Sequence, residues 1–139
     1  MRIELEVKKK TGVIPFKIKD GRLQVLVITS TTGKTWLIPK GNVKQKLGAL
    51  ETARLEAYEE AGAVGKIREK SVTFKKDGCQ LTIFPMKVKR VFKSWPESSI
   101  RNRKWVRHKQ AMKLIKCKKL RKTLMNMLQE LQQTETVTN

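Results

Sequence analysis

The hydrophobic residues of this chain fall into short β-rich runs and two helical stripes, and glycine or proline marks most of the breaks between them. Lys10 to Lys19 and Leu23 to Thr29 flank Asp20-Gly21, while Val72 to Lys76 and Gln80 to Phe84 flank Asp77-Gly78. Runs rich in β-branched and aromatic residues around Asp-Gly predict two hairpins with tight turns. Pro85 predicts a bulge or an edge before Met86 to Phe92 continues the extended run. Trp36-Leu37-Ile38 reads as a short strand that Pro39 and Gly41 end, with Asn42 to Gly48 as a loop, and Lys104 to Arg107 reads as a further short strand. From Ala49 the period changes. Leu50, Ala53, Ala57 and Ala61 follow one another at helical spacing, which predicts a helix over 49–61 with a small-residue stripe and Gly62 as its stop. A second helix is predicted near Lys109 to Ile115. A third spans 117–132, where Cys117, Leu120, Leu124, Met127, Leu128 and Leu131 form one apolar stripe, and 134–139 reads as a frayed tail. The 139 residues suit one domain over 1–139, and the mixture of strands with few helices predicts an α+β fold, an α/β/α sandwich around a mixed sheet.

Charge adds a contrast to this pattern. Lysine and arginine number 32 against 12 acidic residues, a net charge of +20, which implies attraction to polyanions: polyphosphorylated small molecules, RNA or anionic membrane. Within that basic chain, Glu51, Glu56, Glu59 and Glu60 fall inside ten positions. On a helix, Glu56, Glu59 and Glu60 stand at i, i+3 and i+4 and project from one face, so their mutual repulsion asks for a compensating cation. Oxygen-only ligands with no neighbouring Cys or His suit a hard divalent ion, Mg²⁺ or Mn²⁺, rather than zinc. The alternative is a solvated acidic face.

The spacing of these residues resembles the Nudix hydrolase box. That box reads Gly, five residues, Glu, seven residues, Arg-Glu, an aliphatic, any residue, Glu-Glu, any residue, Gly, an aliphatic. Gly41, Glu56, Glu59, Glu60 and Gly62 match it, and Ala57 and Ala63 take the aliphatic places. Leu47 stands where the first Glu is expected, and Leu55 where the Arg is expected. The Trp36 to Gly41 lead-in, Trp95-Pro96-Glu97 and Arg103-Lys104-Trp105 look like the branch that includes diphosphoinositol polyphosphate and dinucleoside polyphosphate hydrolases. The resemblance spans about residues 11–130 and implies the same sandwich fold and a metal-dependent pyrophosphohydrolase. It implies Glu56, Glu59 and Glu60 as ligands of Mg²⁺ or Mn²⁺, converging on one exposed groove, and Glu59, Glu60 and Glu97 as catalytic residues. Glu60 and Glu97 are the candidate bases. Lys40 and Gly41 are the candidate substrate contacts. An arginine at 55 would pair with Glu59 one turn on, and Arg54, about 100° round the helix, is poorly placed to replace it.

The other reading of the same residues is a catalytically weak or inactive scaffold of this kind that binds RNA or another polyanion, which the two leucines and the charge support. An aromatic RNA-recognition motif is not visible, nor is an amphipathic membrane anchor. Met1-Arg2-Ile3-Glu4 lacks the apolar run of a signal peptide, and a cytoplasmic protein is expected. Cys79 and Cys117 lack metal-ligand spacing and read as reduced packing residues. Gly33-Lys34-Thr35 imitates the end of a phosphate-binding loop, but Ile28 stands where its first glycine belongs and no helix is expected after it, so it reads as a turn. His108, the single histidine, reads as structural or exposed.

Overall fold

The computed structural model describes residues 7–137, so the signal-peptide reading of the first four residues lies outside them. Two Asp-Gly turns set the scaffold. Asp20 and Gly21 have φ of 53° and 73°, and Asp77 and Gly78 have 51° and 73°. Positive φ at both central residues is what a two-residue hairpin turn of matching twist requires. The first turn joins β1 (Lys8–Lys19) to β2 (Arg22–Thr29), and the second joins β6 (Val72–Lys76) to β7 (Cys79–Val91). β1 and β7 run parallel, with Lys8 opposite Cys79 and Phe16 opposite Lys87, and the remaining pairs are antiparallel. Pro85 lies inside β7 rather than ending it. It falls between the stretch paired with β6, which stops at Ile83, and the stretch paired with β5 (Ala63–Ile67), which starts at Met86, so no ladder on that side needs its missing N–H.

The feature that builds the site is a fork. β1 pairs with β2 from Phe16 to Lys19, but over Lys10 to Gly12 its partner is β4 (Lys40–Asn42). β2 likewise leaves β1 beyond Val25 and takes up β3 (Trp36–Leu37) at Ile28 and Thr29. Ile38 and Pro39, both buried, cross the opening, and the Pro39 carbonyl accepts the Val13 amide at 3.1 Å. The segment read as a loop after Gly41 therefore begins as a strand. The short strand expected over 104–107 is β8 (Arg103–Arg107), which pairs with β2.

Helices cover both faces. α1 (Gly48–Ala61) packs one face through Ala53, Ala57 and Ala61, which have no exposed surface and join Val13, Leu26, Ile28 and Met86 in one cluster. α2 (His108–Leu114) and α3 (Lys118–Val137) cover the other face, where Leu124, Met127 and Leu128 pack on Phe16, Val25 and Ile83. The α+β sandwich with a mixed sheet is the observed fold. Two details differ from the sequence expectation. β5 carries no clear apolar alternation, and Gly62 in the left-handed region turns the chain from α1 directly into it. Residues 134–137 are helical rather than frayed, with the half-buried Glu135 paired to Arg68 at 2.8 Å and to Lys87 at 3.3 Å, and the rest of the expected tail, 138–139, lies outside the described residues.

The alanine stripe sets how closely α1 approaches the sheet. Ala57→Leu should overpack this interface and cost about 1–3 kcal/mol, read as a lower urea midpoint at unchanged slope.

Candidate active site

α1 presents its carboxylates to the fork because the alanine stripe fixes its rotation. Gly41 passes so close that a Cβ there would stand 2.6 Å from the Glu56 carboxylate. No other residue fits at 41 without moving that side chain. The neighbouring Lys40 amide donates to Glu60 Oε1 at 3.1 Å, so the backbone of β4 grips the helix carboxylate directly.

The segment 92–102 closes over the C-terminal end of α1. The Phe92 amide donates to the Gly62 carbonyl at 2.9 Å, and the Glu97 amide to the Glu59 carbonyl at 3.1 Å. Trp95 Nε1 donates to the Glu60 carbonyl at 3.0 Å. Arg103 stacks on the Trp95 ring at 3.9 Å and donates to the carbonyls of Ala61 and Phe92. These donors satisfy carbonyls that a helix end leaves unpaired. The segment is anchored at its far end by Thr29, whose hydroxyl accepts the Asn102 amide at 2.8 Å and whose carbonyl accepts Arg101 at 2.9 Å.

Arg101 is the residue that sequence reasoning missed. Its guanidinium donates to Glu97 Oε1 at 2.8 Å, forms an ion pair with Glu60 Oε2 at 3.5 Å, and is only 10% exposed. No spacing rule connects position 101 to position 60, since the contact depends on the segment folding over α1. Arg54 bonds to Glu51 at 3.2 Å and to the Gly65 carbonyl, away from the cluster. Leu55 is half-buried, and Leu47, at the N-cap position of α1 with no side-chain cap, is exposed.

The candidate carboxylates are unequal. Glu56 and Glu59 are half-buried, whereas Glu60 is buried at 7% exposure, so the three are not equally open to solvent. Burial pushes the Glu60 carboxyl up to about 8, against the opposing pull of the Lys40 amide and Arg101. Burial also raises Glu56, and the charge of Glu59 adds to that while a hydrogen bond shared with Glu60 opposes it. Among the described residues no three Asp, Glu, His or Cys side chains are gathered as a ready coordination sphere. Glu97 reaches the cluster through its charge on Glu56 and its bond to Arg101. Beside Glu60 opens a cavity of about 220 Å³ lined by Ser30, Thr31, Leu37, Lys40 and Arg101. Gly33-Lys34-Thr35 forms a turn there, with the Gly33 amide on the Ser30 carbonyl at 2.8 Å. The hydroxyls at its start line the cavity, which the sequence did not indicate. His108 lies at the start of α2 and lines a cavity with Arg22 and Gln132, apart from the carboxylates.

A sandwich with this fork, and a box helix whose Glu56 and Glu60 face Gly41 and Lys40, is the arrangement of a known class. Nudix hydrolase 16, mitochondrial, of Arabidopsis thaliana is 32% identical over 123 residues, covering 73% of this chain and 68% of the relative. Nudix hydrolase 21, chloroplastic, of the same plant is 33% identical over 130 residues, covering 84% of this chain and 64% of the relative, so the chain spans less than two thirds of that protein. The chain belongs to the Nudix hydrolase family. An Ap4A hydrolase of C. elegans, solved as a binary complex, superposes with a TM-score of 0.67 over 90% of this chain and 98% of that one, at 20% identity, and shares the fold. No protein-family model matches the chain. Among the described residues no helix is long and apolar enough to cross a membrane.

The raised Glu60 has a measurable consequence for the metal-free protein. Its folded pKa, about 8, exceeds its ordinary value of 4.5, so the native state holds a proton that the unfolded chain releases between those values. Stability from this group is full below pH 4.5 and is lost as pH rises through 8. Thermal midpoints in chelator should therefore fall across that window more steeply for the native protein than for Glu60→Gln. Parallel curves would show that Glu60 does not carry the proton.

Proposed function

We propose that this chain hydrolyses a phosphoric anhydride bond in a polyphosphorylated small molecule, such as a nucleoside diphosphate linked to a second group, with Glu56, Glu59 and Glu60 holding Mg²⁺ or Mn²⁺. The observation that carries this reading is the Glu60 carboxyl, buried against Glu56 yet fixed by the Lys40 amide and Arg101 at the wall of a cationic cavity. Two adjacent carboxyls, Glu60 buried and Glu56 half-buried, form an all-oxygen donor set beside a residue without a side chain, Gly41, and such a set suits a hard cation. When bound, such an ion supplies charge neutralisation at the phosphate and acidifies a water molecule.

The protein's own groups divide the remaining work. Lys40 and Arg101 line the cavity and attract the phosphates, and the hydroxyls of Ser30 and Thr31 offer hydrogen bonds to their oxygens. Of the two candidate bases, Glu60 stands at the cavity wall, where the Lys40 amide and Arg101 hold it. Glu97, engaged by Arg101, keeps the guanidinium over Glu60. Lys40 and Gly41 act as substrate and backbone contacts, with Gly41 leaving room for the Glu56 carboxylate.

Incubation with Mg²⁺ and a panel of nucleoside diphosphate derivatives, dinucleoside polyphosphates, diphosphoinositol phosphates and capped RNA tests this, with phosphate and nucleotide release measured. Turnover should require Mg²⁺ or Mn²⁺. Glu56→Gln, Glu59→Gln and Glu60→Gln should each lower kcat/KM by about 100-fold or more while remaining folded. The same ions should raise the thermal midpoint of the wild type and not of Glu60→Gln, by mass action on the native state. Metal-independent turnover, or none across the panel with no metal-induced shift, would refute the proposal.

A further inference from the structure

Outside the carboxylate site, exposed lysines gather at one end of the sheet. There the strand order is β4, β1, β7, β6. Lys8 and Lys9 open β1, and the Lys9 carbonyl accepts the Val43 amide at 3.0 Å, which brings Lys44 and Lys46 of the next loop alongside. Lys75 and Lys76 end β6, with Lys76 opposite Cys79 and Lys8 opposite that same cysteine from the other side of β7. Lys76 Nζ lies 3.9 Å from Cys117 Sγ, and Lys119 Nζ 5.9 Å from the Phe74 ring, so the start of α3, with Lys118, completes the band. These lysines are exposed, and none forms an ion pair among the described residues. The ion pairs among the described residues, from Arg54, Arg68, Lys70, Lys87 and Arg101, lie elsewhere.

The dimensions of the band limit what it fits. Four neighbouring strands about 4.8 Å apart span about 14 Å, and a helix layer about 10 Å off each sheet face extends the band to about 30 Å. That exceeds the reach of a nucleoside polyphosphate. The band turns from the loop before α1 on one face, round the sheet end, to α3 on the other, so it is a curved ridge. A flat bilayer meets such a ridge poorly, and among the described residues Val7 and Leu47 are exposed aliphatic residues with no exposed aromatic beside them to insert. A duplex is too stiff to follow the turn, with a persistence length of about 150 base pairs. A single strand bends freely and carries regularly spaced phosphates.

We propose that this lysine band is a docking surface for single-stranded nucleic acid, with its far end at α3 and its near end, at Lys44, beside Glu56. Affinity comes from phosphate contacts and counterion release, so it falls steeply with salt and shows little sequence preference. The surface is separate from the proposed reaction, and a probe that cannot be hydrolysed keeps the two questions apart.

The test is fluorescence anisotropy with a 20-nucleotide oligouridine bearing a 5′-hydroxyl, titrated at several salt concentrations. The wild type should bind with a slope of log K against log salt near about −4, the value for about six phosphates on a single strand. A variant combining Lys75→Glu, Lys76→Glu, Lys118→Glu and Lys119→Glu should bind at least about tenfold more weakly, with a slope shallower by about 2 to 3. A control combining Lys19→Glu, Arg22→Glu, Arg107→Glu and Lys109→Glu makes the same change of charge at the other end of the sheet and should lose much less. The matching glutamine set at the four band lysines should give a smaller loss of the same kind, and it serves in place of the glutamate set if that variant is unfolded by circular dichroism. Equal losses in the band and control variants would overturn the proposal, as would absence of salt-dependent binding by the wild type. Retention on phosphatidylserine vesicles without RNA binding would overturn it in favour of a membrane.

Discussion

The burial of Glu60 beneath Arg101 is the interaction on which the rest of the site depends. A carboxyl at 7% exposure, next to a second carboxyl, is stable only where donors replace the water it has lost. Two groups compensate, the Lys40 amide from β4, which donates to Oε1, and the Arg101 guanidinium from the segment 92–102, which forms an ion pair with Oε2. Each arrives because of a larger feature. β4 reaches Glu60 because the sheet forks between β1 and β2, and Arg101 reaches it because Trp95, Glu97 and Arg103 fasten their segment to the end of α1. Loosening either side would leave a buried carboxyl with one partner instead of two.

This arrangement gives Leu55 a physical meaning. The box in this chain lacks the arginine that would sit on α1 itself, and a guanidinium comes instead from residue 101, far along the chain. The two are not equivalent. An arginine at 55 would meet Glu59 one turn on, whereas Arg101 meets Glu60 and Glu97. Positive charge is therefore concentrated on the buried carboxyl, and Glu59 is held through its backbone carbonyl by the Glu97 amide.

Much of this was legible in the sequence because it rests on local rules. The Asp-Gly turns, the alanine stripe of α1, the Gly62 stop and the apolar stripe of α3 follow from backbone preference and period, and all four are observed. The box spacing identified the family and singled out the helix carboxylates. What escaped depends on contacts between distant residues. The burial of Glu60, the grip of Arg101 on it, the anchoring of its segment by Thr29 and the helical end of α3 held by Glu135 all join positions at least 20 residues apart. β4 and β5 escaped for a related reason, since three and five residues with glycines carry little periodic signal and form through their neighbours.

The most direct measurement is a double-mutant cycle on Arg101 and Glu60, read as unfolding free energy in denaturant for the wild type, Arg101→Met, Glu60→Gln and the double variant. A coupling of about 1–3 kcal/mol is expected, because removing the guanidinium hurts most while the carboxyl remains buried without it. Additive effects of the two substitutions would contradict the central role given to this pair.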